Sequence, residues 1–422
     1  MTPRLEPASF SVTAATFTGN HGAEAMLRAT LQGLRERLPG SAFHVFSYYP
    51  TEDRAMVRDP DTMVHSLTPL ALIVRLTPLA AAYTLCRALR LRVLLSAFPA
   101  DVRAVAESDA LLDLAGVSFV EGREIFLPFN VLSVAPALIL GVPVVKLSQA
   151  MGPFRRPLNR GVARAVLRRC RALFARGADT REHLAALRLG DRIRQAPDVA
   201  FLLEPGKGDD PRVAEVLDTV VRRRPAVRSV VGVCPSSLLA GKVGAPYLEL
   251  LEKVVGHLVA EGDLILLFPN ASRGSADAGP RNNDLHVIRA LRQRLPDAVQ
   301  AAVVAVEGDV HAPEILTLLS AVDLALVSRF HAMVGALSTG RPVAVVGWSH
   351  KYAEVMGDFG MEAHVFDGRN VGPQDVLASL DAFRDDLEGW RVQIADRLPA
   401  VRAAAAAQLD YVVDLVGKEE AR

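Results

Sequence analysis

Short apolar runs that stop at Gly, Pro, Ser or Asn alternate along this chain with stretches whose apolar residues recur every three to four positions. The first pattern reads as buried strand and the second as amphipathic helix. In the N-terminal half the runs 9–17, 42–48, 110–116, 143–149 and 172–176 predict strands. Helices are predicted over 23–38, 131–140 and 159–169, and from an N-cap at Thr180 to Leu189. The C-terminal half predicts strands at 229–234, 263–268, 302–306, 323–328 and 342–347, with helices over 246–259, 283–294, 313–321 and 331–338. An Ala-rich helical stretch, about Arg384 to Val416, closes the chain, and Pro399 is expected to kink or split it.

Between the two series lies the polar segment Glu204–Pro211, EPGKGDDP, the best linker candidate. Strands that read as continuous apolar runs and alternate with helices imply parallel sheets covered on both faces. The expected architecture is α/β: two doubly wound parallel-sheet domains facing a cleft, at residues 1–205 and 212–395. A C-terminal helix, 396–422, would cross back to the first domain.

Composition narrows the function classes. Half of the 422 residues are apolar, enough for real cores. Lys and Arg number 48 against 47 Asp and Glu, a net charge of +1. That argues against nucleic acid as a partner, since a general polyanion binder needs a cationic surplus. Cys86, Cys170 and Cys234 lie far apart, with neither disulfide-scaffold nor zinc spacing, which points to a reducing, cytoplasmic compartment. The N-terminus lacks the pattern of a secretion signal. The segment 67–100 is apolar but interrupted by Pro69, Pro78, Arg75, Arg87, Arg90 and Arg92. Its longest uncharged run, Leu76 to Cys86, falls short of the roughly 20 residues a spanning helix needs. Two readings fit it: buried or amphipathic helices of a core, or a basic apolar face on the inner surface of a membrane.

Ligands of open parallel sheets bind beyond the carboxyl ends of the strands, and the unusual residues collect there. Gly19-Asn20-His21-Gly22 feeds a helix N-terminus suited to an anion, with Glu24 just inside the helix. Gly116, Ser148, Gln149, Gly152 and Arg176 follow other N-terminal strands, and Asn270 and Arg273 follow 263–268. Ser328-Arg329-Phe330-His331 leaves a buried strand and enters an apolar helix. There Arg329 could clamp an anion and His331 could move a proton. Trp348, His350 and Lys351 add aromatic and cationic groups suited to a sugar, and Asp284 could cap the next helix or hold a sugar hydroxyl. Taken singly, each cluster also fits a turn, a cap or a structural ion pair. No metal-ligand spacing and no dinucleotide fingerprint or P-loop is present.

In order and spacing, GNHGAEAML, DLAGVSF, LSQAMGPF, ARGADTREHL, APDVAFLL and SRFHAMVGALSTGRPVAVVGWSHKYAEV together resemble the polysaccharide pyruvyl transferases. Ala23 and Ala115 stand where that family often carries an acidic residue and a glycine. The resemblance, over about Phe17 to Asp367, implies two Rossmann-like domains in a GT-B arrangement. It also implies transfer of pyruvate from phosphoenolpyruvate to a sugar of a surface-polysaccharide precursor, free or lipid-linked, forming a ketal and releasing phosphate. No further cofactor is implied. On that reading His331 transfers the proton and Arg329, Arg176, Ser328, Lys351, Asn270 and Arg273 hold the donor. The loop 19–22, Glu24, Gly116, Ser148, Gln149, Gly152, Trp348 and His350 would line the acceptor side. A GT-B glycosyltransferase using a nucleotide sugar and a non-catalytic carbohydrate-binding relative are the alternatives.

Overall fold

The computed structural model describes residues 7–273, 282–348 and 351–419. Contacts divide the chain into two units. The first comprises residues up to Thr18, Met26–Val199 and the chain from Ala403 onward; the second comprises Gly19–Ala25 and Ala200–Arg402.

The first unit carries β1 (Ser9–Thr13), β2 (Ala42–Ser47), β3 (Thr62–Ser66), β4 (Ala110–Asp113), β5 (Val117–Ser118), β6 (Val144–Met151), β7 (Ala172–Ala175) and β8 (Ile193–Gln195). They pair in parallel in the order β3-β2-β1-β4-β6-β7-β8, with β5 alongside β6. The second unit carries β9 (Val230–Cys234), β10 (Leu264–Leu267), β11 (Val303–Ala305), β12 (Leu324–Val327), β13 (Val343–Gly347) and β14 (Val365–Asp367). These also pair in parallel, in the order β11-β10-β9-β12-β13-β14.

Strands β4, β7, β9, β10, β12 and β13 are buried at every position. That is why they read as unbroken apolar runs. Of the four strands the periodicity passes over, β3, β8 and β14 sit at sheet edges and β5 has only two residues. An edge strand is covered less fully, so its sequence needs fewer apolar residues.

Three helical expectations need correction. The segment expected as one helix over 131–140 is two, Leu127–Leu132 and Ala135–Leu140, the second with a proline in its first turn. Thr180 is not an N-cap: the helix starts at Ala178, after Gly177, and Thr180 is buried inside its first turn. The closing helix runs unbroken over Leu387–Glu419 with Pro399 inside it.

Candidate active site

In the second unit the carboxyl ends of β9, β10 and β12 are tied together by one fully buried carboxylate, Asp284. It accepts backbone N–H groups from Ser237 (2.8 Å), Asn270 (3.2 Å) and Ala271 (2.9 Å). It also pairs with both Nε and Nη2 of Arg329, the residue just before the helix Phe330–Ser338. Arg329 also donates from Nη1 to Asn282 Oδ1 (3.1 Å) and from Nη2 to Ser237 Oγ (3.0 Å). Asp284 therefore neither caps its own helix through its side chain nor offers itself to a sugar; it fixes the loops around Arg329. About a tenth of the Arg329 side chain stays exposed. Ser328, just before it, is buried and donates its backbone N–H to the Cys234 carbonyl.

The loop 19–22 belongs to this same unit, although its sequence position placed it with the N-terminal domain. Asn20 caps the helix His21–Arg37 by accepting the Gly22 N–H at 3.1 Å. Gly22 is glycine for a spatial reason: a Cβ there would lie 2.0 Å from Nδ1 of His331, whose ring fills the space. The two sharpest motifs of the sequence thus meet, backbone against imidazole. His21, Asn270 and His331 line a cavity of about 20 Å³ beside this junction, the size of a single water.

Behind the loop lies a buried charge cluster. His21 Nδ1 meets Glu24 Oε2 at 3.0 Å, and Nε2 meets Ser272 Oγ at 2.7 Å and Asp309 Oδ1 at 3.1 Å. Burial alone would lower the His21 imidazole; its bonds to Asp309 and Glu24 outweigh that and raise it to about 9. His21 is accordingly an imidazolium at neutral pH. Burial alone would push the Asp309 carboxyl up, and the bond and charge of His21 hold it below its ordinary value. Glu24, fully buried, also accepts the Ala312 N–H at 3.0 Å and faces His311 Nδ1 at 3.2 Å. It is therefore an internal anchor, closed to an acceptor sugar. Ligand atoms of His21, Glu24 and His311 lie within 4.8 Å of one another. They could hold a cation only if His21 gave up the proton it shares with Glu24.

Lys351 lies over the rings of Phe330 (4.9 Å) and Tyr352 (5.5 Å), beside the residue that precedes His331. Trp348 is covered by Lys242 at 4.4 Å. Arg273 follows Ser272 and is half-buried. His350 lies outside the described residues.

The expected site residues of the first unit form a separate, closed network. Arg176, expected as an anion ligand, is instead buried against Asp198 (2.5 Å) and donates to the Gly116 carbonyl (2.9 Å). Gln149 is fully buried, accepts Ser118 Oγ at 2.5 Å and donates to the Asp113 carbonyl at 3.2 Å. Ser148 Oγ accepts the Val199 N–H at 3.2 Å. Gly152 has φ +89°, and a Cβ there would strike His183 at 2.7 Å. These groups shape the strand ends and leave no side chain of Ser148, Gln149 or Arg176 open to a ligand. Sequence reasoning passed over Asp309 and His311, although both follow β11. The strand-end rule that found the other clusters reaches them too once it is applied to that short strand.

Two all-parallel α/β units with polar loops at the carboxyl ends of their strands define a GT-B-like protein. The solved structures agree. The chain is similar to Anabaena Alr3699/HepE in complex with UDP and glucose (TM-score 0.56, 13% identity, 98% of this chain and 100% of that one). It is also similar to UDP-GlcNAc 2-epimerase from Neisseria meningitidis (TM-score 0.55, 12% identity, 97% and 99%). Residues 20–350 match the family model of the polysaccharide pyruvyl transferases, and the chain belongs to that family of transferases. Among curated proteins it is similar to the amylovoran biosynthesis protein AmsJ of Erwinia amylovora, 20% identical over 292 residues and 68% of each chain.

Proposed function

We propose that this protein transfers pyruvate from phosphoenolpyruvate to a sugar of an exopolysaccharide precursor in the cytoplasm. The observation that carries the reading is the junction of Gly22 with His331, inside the family match, beside a guanidinium held in place by Asp284. The three thiols are unpaired, in keeping with a reducing compartment.

The chemistry assigns roles to these groups. His331 delivers a proton to the methylene carbon of phosphoenolpyruvate, and C2 takes on oxocarbenium character. A sugar hydroxyl adds to C2 and gives up its proton. Inorganic phosphate leaves, and a second hydroxyl closes the ketal with loss of its own proton. Proton transfer by a positioned side chain contributes about 10²–10⁴-fold. The exposed tenth of the Arg329 side chain, with Lys351 nearby, meets the donor's negative charge, and Asp284 keeps the guanidinium oriented.

The neighbour solved with UDP and glucose gives the nucleotide-sugar reading its support, and one experiment separates the two. Thermal unfolding is followed with phosphoenolpyruvate, UDP or GDP, on the wild type and on Gly22→Ala and His331→Asn. A ligand at about 100 times its Kd stabilises by ~2.7 kcal/mol. The expected result is a shift with phosphoenolpyruvate alone, diminished in both variants. A shift with a nucleotide diphosphate alone overturns the reading in favour of glycosyl transfer.

A further inference from the structure

The apolar segment of the first unit has a face that the fold leaves uncovered. Residues 71–88 form one continuous helical stretch, a π-helical start at Ala71–Leu76 running into Thr77–Ala88. Leu72, Leu76, Ala80 and Tyr83 make a buried stripe that joins the core of the unit. The other side stays in solvent: Val74 is 64% exposed, and Leu70, Ile73 and Leu85 are exposed with it. The chain then turns into the short helix Arg92–Leu95, where Val93 is 87% exposed and Leu91 and Leu94 are also uncovered.

Charge identifies the occupant. From Thr62 to Ala100 there is no Asp or Glu, while Arg75, Arg87, Arg90 and Arg92 are present. Arg75 pairs with Asp101, and Arg87 donates to the Leu140 carbonyl. Among the described residues, Arg90 and Arg92 form no ion pair, and both are exposed amid the uncovered leucines and Val93. We propose that this face docks on an anionic phospholipid surface, with Leu91, Val93 and Leu94 entering the headgroup boundary and Arg90 and Arg92 meeting lipid phosphates.

Two other occupants fit less well. A membrane span would pull Leu72, Leu76, Ala80 and Tyr83 out of the core they complete. A second copy of the chain across a two-fold axis would set the same arginine-bearing, acid-free patch against itself. The inference goes beyond the proposed reaction and does not depend on it. It adds that the acceptor can be one held at a membrane.

Flotation with vesicles tests it, using phosphatidylcholine alone and phosphatidylcholine with one-third phosphatidylglycerol, at low and high salt. The wild type is expected to float with the anionic vesicles only, and less at high salt. Arg90→Glu with Arg92→Glu should lower the partition coefficient by roughly 30-fold or more. Val93→Asp with Leu94→Asp should abolish flotation, while circular dichroism and the phosphoenolpyruvate shift stay as in the wild type. Equal flotation with both vesicle types, none with either, or resistance to an alkaline carbonate wash overturns the proposal. So does a dimer by light scattering that Val93→Asp separates. Failure of the phosphoenolpyruvate shift bears on the reaction alone.

Discussion

His21 shows how a residue in a glycine loop at a helix start can serve the protein from within. Its sequence setting, between two glycines at a helix start, suggested contact with a ligand. Its nitrogens are instead occupied by Glu24 on one side and by Ser272 and Asp309 on the other. The raised pKa has a thermodynamic consequence. In the unfolded chain the imidazole titrates near ~6.5, and in the folded protein at about 9. The stabilisation is fully present below the lower value and is lost as pH rises through the upper one. Its size is on the order of 3 kcal/mol. Urea midpoints measured from pH 6 to pH 10 should therefore fall on the alkaline side, and His21→Gln should flatten that fall. A wild-type slope that survives the substitution would place the titrating group elsewhere.

At the scale of elements, the buried strands were legible because burial on both faces imposes unbroken apolar runs, as in β9 and β12. The site was legible in its strand-end motifs, which is why Arg329 and His331 stood out. Their pairing was not: Asp284 stood out only as a cap or a sugar ligand, because it lies 45 residues from Arg329 and nothing in local spacing joins them. The same holds for the closing helix. Its alanine run predicts helix, while its use depends on a polar residue, Gln408, that is fully buried in the first unit. Gln408 Oε1 accepts the Ser148 N–H at 2.9 Å, and Nε2 donates to the Pro197 carbonyl at 3.2 Å. Next to it, Leu409 occupies the space a Cβ on Gly33 would need. Gln408→Leu should leave polar backbone groups without these partners and cost about 1–3 kcal/mol. Denaturant unfolding reads this directly, and an unchanged midpoint would mean that the helix is held by its apolar contacts alone.

For the whole molecule, the informative fact is that residues 19–25 group with 200–402 although the chain between them builds another sheet. The sequence places the glycine loop in the N-terminal half, which makes it a natural contribution from the opposite domain. Spatially it completes the second unit: His21 donates its backbone N–H to the Asn270 carbonyl (3.3 Å), and Gly22 gives its surface to His331. The strand ends of the first unit are closed by their own pairs, Arg176 with Asp198 and Ser118 with Gln149. Donor binding as proposed should then be felt on one side of this division. Hydrogen exchange with and without phosphoenolpyruvate is the direct measurement, because a bound anion restrains the local openings through which amides exchange. Peptides covering 19–25 and 328–338 should exchange more slowly with donor present, and those covering 116–118 and 148–152 should exchange as before. Protection at 148–152 without protection at 328–338 would move the donor to the first unit. It would also require Arg176 to exchange Asp198 for the donor, a rearrangement that Asp198→Asn would then make easier.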